Sequence, residues 1–121
     1  MTREEIMRLE GRELDAAVHE RVFGRPVKWA APSAEFTFPF DPDTRIRIPD
    51  YSADIAAAWQ VIERMWDLGW YVDMGHYEDE WEVAFYNGLQ RYEDCGWPPA
   101  AVICRAALLA VCGEENRDAD A

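Results

Sequence analysis

The segment "AAVICRAALLAVC", residues 100–112, limits what this chain can fold into more than any other stretch. Every residue in it except Arg105 is apolar. A helix that is apolar all round needs cover on several sides, so it belongs at the centre of a domain. Pro98 and Pro99 stand where a helix opens, and Gly113 stands where one stops. The expected arrangement sets a sheet against one side of this helix and another helix nearby. The expected fold class is therefore α+β: a three-layer α/β/α sandwich with a small, largely antiparallel sheet flanked by helices. With 121 residues the chain makes one domain, expected over residues 1–113, and "EENRDADA" (114–121) reads as an acidic, flexible tail.

The other elements follow from periodicity. Thr2 and Glu5 form a capping-box pair, and Ile6, Leu9, Leu14, Ala17, Val18 and Val22 recur at helical spacing up to Gly24. Gly11 predicts a kink or a break into two helices. Residues 25–50, cut by Pro32, Pro39, Pro42 and Pro49, read as a loop with one or two short edge strands. The spacing predicts a second helix over residues 52–68, capped by Ser52, with Ile55, Ala58, Trp59, Ile62 and Trp66 on its apolar face. Alternation predicts a hairpin with strands 70–77 and 81–86 around the acidic turn "EDE". Trp59, Trp66, Trp81 and Tyr86 are expected in the core, and Trp29, Tyr92 and Trp97 in loops.

Charge narrows the function. The formal net charge of -12 opposes binding to nucleic acid or to an anionic membrane. Residues 25–50 are the exception, since Arg25, Lys28, Arg45 and Arg47 balance Glu35, Asp41, Asp43 and Asp50. A small anion could be received there although a polyanion would be repelled. No apolar run approaches the roughly 20 residues that span a bilayer, and the charged "MTREEIMRLE" lacks the middle of a signal peptide. A cytoplasmic location is expected, and Cys95, Cys104 and Cys112 are expected as free thiols.

The candidate ligand residues are Tyr51, Ser52, Arg45, Arg47, Arg105, Trp97 and Trp29. A serine at a helix start can cap the helix or donate to a phosphate. The Arg105 guanidinium cannot be buried without a partner, which is either a carboxylate such as Asp54 or Glu63, or a bound anion. Convergence of Arg105 with Ser52 favours the anion. The loop tryptophans could stack on a planar ring. His76, Glu78 and Glu80 read as a solvated turn rather than a metal site, and His19, without a second His or a Cys nearby, ranks lower still. No P-loop, nucleophile elbow or zinc-protease motif is present. The expectation is a protein without catalysis, cofactor or metal.

The blocks "GRELDAAVHERVFG", "IPDYSADIAAAWQVIERMWDLGWYV" and "VICRAALLAV", in that order, resemble the phage ABA sandwich domain family. The resemblance implies an α/β/α sandwich and a phage origin, with the host cytoplasm as its location, and brings no catalytic residues. In that context the expected function is capture of a small anionic, nucleotide-type immune signal of the host. The alternative is an acidic module that binds a host protein or imitates DNA. A homo-oligomer is compatible with either.

Overall fold

The computed structural model describes residues 1–120, the side chains of 114–120 excepted. The elements run α1 (Arg3–Arg8), α2 (Gly11–Arg21), β1 (Lys28–Ser33), β2 (Phe36–Phe40), α3 (Ile55–Asp67), β3 (Tyr71–Tyr77), β4 (Glu80–Asn87), β5 (Gln90–Gly96) and α4 (Pro99–Asp120). The four helices and two small antiparallel sheets form the expected α+β sandwich.

Helix α4 is central, as its composition requires. Val102, Ile103, Cys104, Ala106, Ala107, Leu108 and Ala110 are fully buried. Strands β4 and β5 pack on one side of α4, and α2 and α3 pack on others. Its alanines let these neighbours come close, while Leu108 and Ile103 fill the spaces between them.

The three-stranded sheet has the order β3-β4-β5. The register sets Val72, Phe85 and Tyr92 in one row across the strands, and Met74, Val83 and Asp94 in the next, on the face that meets α4. The opposite face carries Tyr71, Asp73, Glu82, Glu93 and Cys95, all exposed. The expected hairpin is present as β3 and β4. Strand β5, by contrast, holds Tyr92, which the sequence places in a loop. "QRYEDCG" has too few apolar residues to announce a strand, because one inward position is Asp94, held by an arginine of α4.

Gly113 does not stop α4. The helix continues to Asp120. A Cβ at Gly113 would fall well inside contact distance of the Tyr92 ring, so this glycine makes room for an aromatic side chain rather than ending a helix. The tail expected at 114–121 lies outside the residues whose side chains are described. Gly11, with φ +53, starts α2 after a break at Leu9 and Glu10, as its position predicts. Thr2 and Glu5 form the expected capping box. Strands β1 and β2 make a separate two-stranded ribbon, where Pro32 and Pro39 are tolerated because every strand is an edge.

The tryptophans depart from expectation. Trp59 is 53% exposed and Trp66 62%. Helix α3 gives the core Ala57, Ala58, Val61, Ile62 and Met65 instead, and the two indoles occupy the adjoining flank. Trp81 and Tyr86 are half-buried. The three thiols are free, with Cys104 and Cys112 buried and Cys95 exposed. Among the described residues no helix is long and apolar enough to cross a membrane.

Candidate functional site

Helix α3 begins at Ile55, three residues later than its pattern suggests, because the capping carboxylate is Asp54, which accepts the N–H of Ala56 at 2.9 Å. Ser52 is not the cap. Its N–H donates to the Asp15 carboxylate at 2.7 Å and its hydroxyl to the carbonyl of Gly11 at 3.3 Å. Both donors are therefore engaged, and they tie the approach to α3 onto the first turns of α2. Asp15 is buried, and burial pushes its carboxyl above the usual range, only partly offset by the bonds from Ser52.

Tyr51 turns away from solvent, with 3% exposure. Its hydroxyl lies 3.2 Å from Nδ1 of His19, whose Nε2 lies 2.9 Å from Oδ2 of Asp41. A carboxylate only accepts, so Nε2 donates to Asp41, while Nδ1 and the tyrosine hydroxyl share the other hydrogen bond. Arg25 donates to the same Asp41 oxygen at 3.1 Å, and the N–H groups of Asp43 and Thr44 donate to the other. The bond from His19, chiefly, with help from Asp43, Arg25 and Thr44, holds the Asp41 carboxyl well below the usual range despite burial. The Tyr51 hydroxyl is pushed up to about 12, first by burial and then by nearby charges. A Tyr-His-Asp series has the order of a nucleophile, its base and an orienting acid. Here the tyrosine has almost no open surface and a strongly held proton, and the series instead clasps α2 to the segment before α3. Sequence reading passed over His19 because its partners lie 22 and 32 residues away.

Arg105 meets neither Asp54 nor Glu63. Its Nε donates to Asp94 of β5 at 2.8 Å, a pair that anchors the sheet to α4. No second acceptor for this guanidinium is found among the described residues, and its side chain is 16% exposed. Arg105, Ser52 and Trp97 do converge: they line one cavity of about 350 Å³, with Leu14, Pro98 and Ala101 among its apolar walls. Ser52 shapes this cavity without a free donor to offer. Trp97 is 66% exposed and sits just before α4, joined to Pro98 by a cis peptide bond.

The other candidates lie elsewhere. Trp29 lines a neighbouring cavity of about 430 Å³ with Arg8, Arg12 and Thr37, and Glu10 borders both cavities. Arg45 occupies an exposed turn with φ 63. Arg47 lies over Phe38, 4.7 Å from the ring centre. Neither arginine reaches the cavity of Trp97. His76 and Glu78 border a groove with Asp79 and Trp97, which thus lines this groove as well as the cavity of Arg105, and among the described residues no three His, Cys, Asp or Glu side chains are grouped to hold a metal ion.

The profile of the phage ABA sandwich domain matches residues 4–108. A crystal structure of a phage protein from Bacillus cereus superimposes with a TM-score of 0.65 at 23% identity, over 85% of this chain and 93% of that one. At that identity the likeness concerns the fold. No curated protein matches the chain.

Proposed function

This chain belongs to the phage ABA sandwich domain family, and from that premise we propose that it is a non-catalytic binding protein that captures a small anionic ligand, of nucleotide type, in the cavity of Trp97 and Arg105. One observation carries the reading: a flat, exposed indole from the end of β5 and a guanidinium from α4 border a single concave site whose remaining walls are largely apolar, with Glu10 as the one carboxylate among them. Such a site suits a planar ring with a negative group attached, the ring against Trp97 and the anion on the amino groups that Asp94 leaves unused. The net charge of -12 sets the size limit, since a single phosphate group can reach one guanidinium while a polyanion meets repulsion over the whole surface. In a phage protein, such capture fits removal of a host signal without chemistry.

The alternative of an acidic interaction module draws on the outer face of the sheet. Arg91 weakens it there by bridging Asp73 at 3.3 Å and Glu93 at 3.7 Å, which interrupts the row of carboxylates that an imitation of DNA needs. A thermal-shift screen against linear and cyclic nucleotides tests the first reading. A ligand held at a hundred times its dissociation constant stabilises by about 2.7 kcal/mol. The shift should disappear in Trp97→Ala, whose indole carries little of the fold.

A further inference from the structure

We propose that the exposed flank of α3 is a self-complementary docking surface, and that its occupant is a second copy of this chain in antiparallel orientation. Ile55, Trp59 and Trp66 are at least half exposed. At 100° per residue they fall within about 40° of one another around the helix, so they form one stripe rather than scattered side chains. Tyr71 extends the stripe onto the sheet, edge-on to Trp66 with ring centres 5.4 Å apart. Isolated exposed apolar residues are ordinary, whereas a stripe of this size is on the scale of the largest apolar patch of a typical monomer, which is often functional.

Self-pairing is favoured over another partner because the stripe contains both a projection and a hole. Beside Trp66 lies a cavity of about 250 Å³, bordered by Gly69, Trp70 and Tyr71. Trp59 stands seven residues earlier on the same flank, about 10 Å along the axis at 1.5 Å per residue. When two copies of α3 cross antiparallel about a point between residues 62 and 63, Trp59 of each copy faces Trp66 and the adjoining hole of the other. A two-fold axis satisfies both contacts at once, as a closed isologous interface requires. About half of four large side chains of 150–250 Å² gives on the order of 400 Å² of apolar centre per copy, roughly half of the ~800 Å² per partner of a standard interface. Tryptophan and tyrosine at the centre, with Glu63 and Asp67 at the polar margin, match the usual division of such interfaces.

Sedimentation equilibrium of the full chain over a range of concentrations is the test, on wild type and on Trp59→Ser, Trp66→Ser and the double variant, with circular dichroism to show that each folds. The expected result is a wild-type mass rising to twice 14.0 kDa, with each single variant weakening the dimer at least tenfold. Added salt should strengthen the dimer, because it screens the repulsion between two chains of charge -12. A wild type that stays monomeric at the highest concentration overturns the proposal, and so does a dimer that the double variant leaves intact.

Discussion

Helices α3 and α4 look alike as strings of apolar residues, yet one is enclosed and the other keeps two tryptophans in solvent. In α4 the apolar positions go all the way round and most are alanine, valine, leucine or cysteine, small enough for α2, α3, β4 and β5 to close over them. In α3 the apolar arc is wider than the groove that receives it. Alanine, valine, isoleucine and methionine fill the groove, and the indoles remain at its margin. Burial therefore depends on whether neighbours can close over a side chain as well as on its hydrophobicity.

The largest test of that difference is Leu108→Ala. Leu108 is fully buried, so the loss should be about 3 kcal/mol in denaturant titration. A loss below 1 kcal/mol would mean that α4 is not enclosed. Next comes Gly113→Ala. Alanine gains about 1 kcal/mol over glycine in a helix interior, but its methyl group would meet the Tyr92 ring, and overpacking of this kind typically costs about 1–3 kcal/mol. Net destabilisation of about 1 kcal/mol is expected. Stabilisation would show that Tyr92 moves aside without penalty.

The two buried carboxylates that hold α2 to the approach to α3 should respond to acid in opposite ways. Asp41 has a folded pKa below its unfolded value, so its contribution is present above about pH 4 and is lost as pH falls through the folded pKa. Asp15 has a raised folded pKa, so its ionised form opposes folding at neutral pH, and that penalty is relieved on acidification. Melting temperatures of Asp41→Asn and Asp15→Asn against wild type check this. Asp41→Asn should be less stable at pH 7, with its deficit shrinking below pH 4. Asp15→Asn should lie closest to wild type, or above it, at pH 7. Equal pH profiles for the two variants would contradict the assigned environments. The smallest effect is expected for Trp59→Ser in dilute protein, within about 0.5 kcal/mol, since Trp59 is 53% exposed. A loss like that of Leu108→Ala would erase the contrast between the helices.

Much of the fold was legible. The all-round apolar stretch places α4 at the centre, Gly11 marks the break between α1 and α2, and alternation in "EWEVAFYN" marks β4. What escaped depends on contacts between distant residues. β5 is hidden because Asp94 takes an inward place only through Arg105, and Gly113 reads as a stop because its true partner is a ring on another element. The candidate site was legible in part. Ser52, Trp97 and Arg105 do share a cavity, whereas Tyr51 is turned to His19, Arg47 lies over Phe38, and Arg45 stands on an exposed turn. No local pattern shows that Ser52 is committed to Asp15, 37 residues away. For that reason Ser52→Asp would set a second carboxylate beside a buried one, and it would test the fold rather than ligand binding.

Calorimetric titration of a nucleotide that emerges from the screen, into wild type and into Trp97→Ala, tests whether the indole holds the ligand, because Trp97 is 66% exposed and lies outside the buried core. The free variant should keep its melting temperature and bind at least tenfold more weakly, a loss of about 1.4 kcal/mol. Undiminished affinity in Trp97→Ala, with the fold intact, would contradict that role of the indole.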